Sequence, residues 1–186
     1  KLSVGAGYPY GGELWAIGTS PSSIVFRPYT LVAGDWLGIH FTQYNDDWSG
    51  VSRMEYCRVR LGSAQNLLIE GSNQPTIVNC NIKESAGNGI VLYQSSPSIT
   101  GTTFSVNTGY PLKINDWTCN PYIKNNIYTS NTNNYIAYSG GTISSSRTLR
   151  FDNVPYHILG DIIVAEYAGA PSLTLQPGVT LLFNPG

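Results

Sequence analysis

The residues whose types and spacing could do chemistry are three acids with three aromatics beside them. Tyr44, Asp46, Asp47 and Trp48 fall within YNDDWSG, residues 44–50, and Asp116 with Trp117 falls in INDWT further along. Two carboxylates at a defined separation are what glycosidic bond cleavage requires. Aromatic rings beside acids suit a sugar face, with the carboxylates accepting hydroxyl hydrogen bonds. The same oxygens are ligands that Ca²⁺ prefers, which makes this set a candidate ligand or calcium loop. The bland alternative is that both tryptophans pack their loops onto the protein and the acids form solvated turns. A binding site needs several convergent groups, so the elements that carry these six residues decide between the readings.

The other reactive residues assemble no catalytic set. His40 lies between Ile39 and Phe41, and His157 between Tyr156 and Ile158, so each faces outward on a strand. Neither has a Ser, Cys or Asp partner placed by spacing. Arg53, Arg58 and Arg60 surround Met54 and Val59, with Glu55 as an outward ion-pair partner. Such surface pairs are worth little. No zinc spacing, phosphate loop or dinucleotide fingerprint occurs, so no metal centre or cofactor is expected beyond the Ca²⁺ of the candidate loop. Three cysteines cannot all pair with one another.

What must position these residues is a repeat. QPTIVNCNIKESAGNGIVLY, residues 74–93, holds two short apolar runs around a Gly-bearing turn, and its neighbours copy it. Ile77 and Leu92 are 15 residues apart, as are Ile99 and Ile114, Ile123 and Tyr138, Met54 and Ile69, and Phe26 and Phe41. Ile143 and Ile158 repeat the spacing in a looser, polar stretch. From Phe26 onward the first anchors follow one another at 28, 23, 22 and 24 residues. A fixed internal spacing within such a period marks a solenoid, in which each unit buries its face against its neighbours. A β-sandwich also has short strands at regular intervals, but nothing in it requires one register to recur. The long first step contains residues 44–50, an insertion on one face of the coil. Pro75, Pro97 and Pro121 each precede a first anchor by two residues, where the start of a strand tolerates proline.

The repeat sets distances. Asp46, Asp47 and Asp116 leave the same corner of the coil but three rungs apart, about 14 Å at the inter-strand spacing. That exceeds either glycosidase geometry, so no catalytic residues are expected and the chain is not read as an enzyme. Cys57 and Cys80 each follow a first anchor by three residues, and Thr102 and, after a one-residue slip, Asn126 fill the same slot. These four form an inward stacking ladder. A Cys57–Cys80 bridge is the alternative, since a Cα separation of about 4.8 Å lies within disulfide range. Side chains stacked on parallel rungs, however, point the same way.

The 186 residues suit one domain, 1–186. A net charge of −1 with 11% charged residues excludes the basic stripe that nucleic acid requires, and argues against anionic membranes. No apolar run approaches the roughly 18 residues of a spanning helix, so no membrane insertion is expected. Gly 20, Pro 11 and Tyr 13 favour strands and turns, in a composition of extracellular or cell-surface type. Lys1, with no initiator Met or leader before it, reads as a processing boundary.

The stretches PTIVNCNI, GNGIVLYQSSPSI, GDWLGIHF and LTLQPGVTLLF resemble the right-handed parallel β-helix family and together span most of the chain. The resemblance implies an all-β fold, a single right-handed parallel β-helix of about seven to eight rungs at this period. Such motifs specify fold rather than function, because lyases, glycosidases, tailspikes and passive surface stalks share them. In this family a segment like LTLQPGVTLLFNPG is commonly followed by one like KLSVGAG. Gly186 joined to Lys1 would then continue the rungs without a break, as one period of a tandem array. Neither end carries a polar cap, and unpaired strand edges invite head-to-tail addition. The expected function is a structural repeat module of an extracellular surface protein or filament, with identical modules as end-to-end partners. The alternative is a carbohydrate-binding or carbohydrate-active β-helix with a polysaccharide partner.

Overall fold

The computed structural model describes residues 1–7, 10–19, 24–44, 51–71, 74–165 and 169–185. The short apolar alternations become strands of three to six residues, and every strand-to-strand ladder is parallel. Chain order and spatial order agree within each sheet, which is the signature of a coil that adds one strand per sheet per turn. The first sheet holds eight strands: Leu2–Val4, Ile39–Phe41, Gln65–Glu70, Asn88–Tyr93, Leu112–Ile114, Ile136–Tyr138, Tyr156–Ile158 and Leu181–Phe183. The second stacks Trp15–Ile17, Arg53–Glu55, Thr76–Val78, Ser98–Thr100 and Tyr122–Lys124. The third stacks Ile24–Phe26, Cys57–Arg60, Asn81–Lys83, Thr103–Ser105 and Ile127–Thr129. The architecture is an all-β parallel solenoid.

Alternation sends every second residue inward, and register stacks those residues into columns. Met54, Ile77, Ile99 and Ile123 are paired in the second sheet. Phe41, Ile69, Leu92, Ile114, Tyr138 and Ile158 run through the first. Val59, Ile82, Phe104 and Tyr128 run through the third. All are buried, and each such side chain contributes about 1.5–3 kcal/mol relative to exposure. The 15-residue spacing is therefore the path from the second sheet, through the third, to the first.

One segment follows that spacing for another reason. Phe26 pairs with Val59 in the third sheet, and Ala16 stands opposite Met54 in its place. Val59 precedes Ile69 by ten residues, as Ile82 does Leu92, whereas Phe26 precedes Phe41 by fifteen. A long turn at residues 27–38 thus reproduces the interval from the wrong sheet. The expected slip at Asn126 is also absent, because Thr103 pairs with Ile127 and so sets Thr102 beside Asn126.

The corners explain how so short a coil closes. After the second sheet the chain turns at Tyr56, Asn79, Gly101 and Asn125, all with φ between 48° and 59°. After the third it turns at Leu61, Glu84, Val106 and Ser130, with φ between 55° and 66°. A left-handed conformation costs a non-glycine residue about 1–2 kcal/mol. At Gly101 the bend is also crowded, since a Cβ there would lie 2.4 Å from the Asn79 carboxamide oxygen. Pro75 and Pro97 precede strands directly, and their carbonyls accept from Ser98 and Tyr122 of the following coils.

The second and third sheets break after Tyr122–Lys124 and Ile127–Thr129. The next strands, Gly141–Ile143 and Arg147–Leu149, pair instead with Ile162–Val164 and Leu173–Leu175, while the first sheet runs on unbroken. The interior here is filled by large groups. Trp117 stacks on Tyr138 with centroids 4.2 Å apart, and packs so tightly on Gly141 that a Cβ there would meet it at 2.6 Å. Arg147 is buried, its guanidinium donating to the Cys119 carbonyl at 3.0 Å and the Ser145 hydroxyl at 3.3 Å. A buried cation held by neutral acceptors fills space at a desolvation cost that an apolar side chain avoids. Arg147→Ala is expected to lose about 2–4 kcal/mol and Arg147→Met to stay within about 1 kcal/mol of the parent, read by urea denaturation.

Candidate functional site

After the second sheet each left-handed bend is followed by a residue whose side chain points into the coil. These are Cys57, Cys80, Thr102 and Asn126, all buried. Their hydrogen bonds run from coil to coil. The Cys80 amide donates to the Thr102 hydroxyl at 3.3 Å, the Thr102 amide to Asn126 Oδ1 at 2.9 Å, and the Asn126 amide to Asp152 Oδ1 at 3.1 Å. Asp152 is buried as well and also accepts from Asn126 Nδ2 and the Tyr128 hydroxyl at 2.7 and 2.6 Å. With Asp152 near it, and burial weighing most, the Tyr128 hydroxyl titrates well above its ordinary value.

A second ladder follows the third sheet. The Ser85 amide donates to Asn107 Oδ1 at 3.1 Å, and the Asn107 amide to Asn131 Oδ1 at 3.2 Å. Gly62 occupies the same slot one coil earlier, and its amide is taken by Asn66 Oδ1 at 2.9 Å. Sequence reasoning missed this ladder and the role of Asp152. The signal was present: Gly62, Ser85, Asn107 and Asn131 each lie five residues after Cys57, Cys80, Thr102 and Asn126. Ser95 and Cys119 make a single contact of the same kind at the corner between the first and second sheets, amide to sulfur at 3.3 Å.

The candidate loop is divided. Asp46, Asp47 and Trp48 lie outside the described residues. Tyr44 is half-buried, its amide donating to the Thr42 hydroxyl at 3.3 Å. The register Phe41–Ile69–Leu92–Ile114 places Tyr44 and Asp116 on coils three steps apart. Trp117 is buried against Tyr138, so its ring belongs to the core and offers no face to a sugar. Asp116 is committed locally. Its Oδ2 accepts from the Gln94 amide at 2.8 Å, and its Oδ1 from the Thr118 amide at 2.8 Å and the Thr118 hydroxyl. Partial burial works to raise this carboxyl, but the hydrogen bonds from Thr118, Gln94 and Cys119 outweigh it and hold it below its ordinary value. It is a turn former.

The histidines sit on the outer face of the first sheet. His40 Nε2 contacts Glu70 Oε2 at 2.7 Å, and His157 bridges the Tyr110 hydroxyl and Asn184 Oδ1 at 3.0 and 2.7 Å. Arg53 pairs with Glu55, and Arg60 with Glu84. Among the described residues no group of three or more His, Cys, Asp or Glu side chains converges as a metal site would require, and no helix is long and apolar enough to cross a membrane.

Coil, bends and ladders together define a parallel β-helix. A family model for the right-handed β-helix region matches residues 37–153, more than half of the chain, and the protein belongs to that family. No curated protein and no solved structure gives a significant match.

Two expectations follow from this geometry. Asn126→Leu removes the acceptor of the Thr102 amide and the Nδ2 donor to Asp152 and the Ile99 carbonyl, so a loss of about 2–4 kcal/mol is expected in denaturant melts. Outward Thr103→Ala should stay within about 0.5 kcal/mol. For Asp116 the folded carboxyl titrates below its unfolded value, so its contribution is present above about pH 4 and fades as pH falls through the folded value. Asp116→Asn should therefore lower the urea midpoint at pH 7, with the gap to the parent closing on acidification.

Proposed function

We propose that this protein is a structural repeat module of an extracellular surface protein or filament, extended by end-to-end stacking of identical modules. The observation that carries the reading is the state of the inward columns at the C-terminal end. Ile158, Ile143 and Leu149 are buried, at 1%, 0% and 3% exposure. Their partners one coil on, Phe183, Val164 and Leu175, are exposed at 61%, 45% and 45%. Among the described residues no coil covers these inward positions. At the other end, among the described residues, Leu2–Val4, Trp15–Ile17 and Ile24–Phe26 each pair on one side only, one strand from each sheet. The inward Val4 and Ala16 there are already buried. Three open edges at one end thus face three at the other, in the same order around the coil. A net charge of −1 brings little repulsion to such stacking.

The register changes how stacking would be made. A direct link from Gly186 to Lys1 would place Val4 seven residues after Phe183, yet both belong to the first sheet. Consecutive strands of one parallel sheet need a crossover of about a dozen residues or more. Identical modules would therefore meet as separate ends, Leu181–Phe183 against Leu2–Val4, rather than through that peptide bond. Sedimentation velocity across a hundredfold concentration range tests the reading. Growth in size with concentration is expected, abolished by Phe183→Lys with Leu175→Lys. A chain that stays monomeric at millimolar concentration sinks it. Protease shaving of intact producing cells tests the surface location.

A further inference from the structure

The geometry points to a binding site for an acidic sugar, a hexuronate unit of a glycan, in the cleft where the second sheet breaks. Asp152 accepts from the Asn126 amide 26 residues earlier, which sets residues 148–150 opposite the strand Tyr122–Lys124. The two make no ladder, since the second sheet ends at Tyr122–Lys124 and Arg147–Leu149 pairs with Leu173–Leu175. Arg150 replaces the missing pairing. Where Pro75 and Pro97 offer their carbonyls to amides of the next coil, Pro121 offers its carbonyl to Arg150 Nη1 at 3.3 Å. The same Nη1 donates to the Asn120 carboxamide oxygen and the Thr148 carbonyl at 3.4 and 3.3 Å. The guanidinium lies 5.4 Å from the centroid of the Tyr122 ring. Between the two coils an open cavity of about 300 Å³ remains, room for one sugar ring.

The lining is one-sided in charge and rich in donors. Only one nitrogen anchors the guanidinium, so Arg150 Nε and Nη2 make no hydrogen bond among the described residues. That edge carries two parallel N–H groups, the fork that receives a carboxylate. Exposed Lys124 adds a second cation, and among the described residues neither cation is in an ion pair. The one acid in the lining, Asp152, is buried and takes three hydrogen bonds from Asn126 and Tyr128 inside the coil. Gln176 spends its oxygen on the Phe151 amide, which leaves its NH2 group to donate beside the exposed Asn125 and Asn153. The Phe151 ring rests against Gly178, where a Cβ would come within 3.1 Å, and both it and Tyr122 stay about half exposed. Each feature answers one part of a uronate: the cations its carboxylate, the rings its C–H face, the carboxamides its hydroxyls. An acidic peptide would also bring apolar side chains, for which this shallow lining has no pocket. No pair of free carboxylates flanks the cleft, so the site holds the sugar without cleaving it.

The test is isothermal calorimetry of the folded protein with trigalacturonate, beside neutral maltotriose and the acidic peptide tetraglutamate. Trigalacturonate is expected to bind with a dissociation constant of about 1 mM or tighter, and the other two at least about tenfold more weakly. Arg150→Gln should weaken trigalacturonate about tenfold, the worth of one charge-assisted hydrogen bond. Because Arg150 also holds the Pro121 carbonyl, Lys124→Gln and Phe151→Ala are measured with it. Both change exposed side chains, and each should weaken binding while the circular dichroism spectrum stays that of the parent. No binding at about 10 mM trigalacturonate, equal binding of maltotriose, tighter binding of tetraglutamate, or an affinity unchanged in both Lys124→Gln and Phe151→Ala would each overturn the proposal. The cleft lies on the side of the coil and the protein is kept dilute, so the outcome is independent of end-to-end stacking.

Discussion

An inward-facing backbone N–H at a corner of this coil has neither a strand partner nor water, and leaving one unpaired costs about 1–3 kcal/mol. Each of the four coils from Arg53 to Tyr138 makes two such corners, each turned by a single left-handed residue. The next coil's side chain supplies the acceptor, as Asn126 does for Thr102 and Asn131 for Asn107. The left-handed bend, the inward polar slot and the stacking of coils are therefore one device. Without the next coil the bend is not satisfied, and without the bend three short sheets cannot enclose one core.

The apolar columns fill what the ladders frame. In the central coils the filling is aliphatic, with Ile77, Ile99, Ile82 and Leu92 all fully buried. Toward the C-terminus it becomes aromatic. Tyr128 stacks on Phe104 at 5.3 Å, and Tyr138 packs between Trp117 and Tyr156. Buried rings with hydroxyls need acceptors, and each has one: Asp152 for Tyr128, the Cys119 carbonyl for Tyr138 and the Arg150 carbonyl for Tyr156. The second and third sheets interrupt in this same region. Larger contents and a buried guanidinium accompany the loss of ladder pairing there, while the first sheet holds the two parts together.

Much of this was legible in the chain because one register repeats. From Met54 to Ile158 the anchors stand where the 15-residue spacing puts them, since both of its ends are inward positions, one before and one after the strand of the third sheet. The first coil misled because a spacing carries no label for the sheet it starts from, and the turn at residues 27–38 happens to be five residues longer than its counterparts. Trp117 misled for a different reason. It follows Asp116 in what reads as a polar loop, and only the coil's third dimension turns its ring inward onto Tyr138. The second ladder went unread because Gly62, Ser85, Asn107 and Asn131 differ in type, although they share one spacing and one task.

The direction of the ladders has a consequence for the length of such proteins. Along the first ladder each bend is answered by the coil that follows it, and the answer depends on the slot rather than on the residue, since hydroxyl, carboxamide and carboxylate all serve along one column. Residues 80–101 make one full turn, from one inward slot to the bend before the next. A gene that lost or doubled that stretch would bring a left-handed residue up against an inward polar one, as the corners at Gly101–Thr102 and Asn125–Asn126 already do. Length in this architecture is inherited in whole turns, and one solenoid can be drawn out or shortened between lineages without new chemistry at the seam.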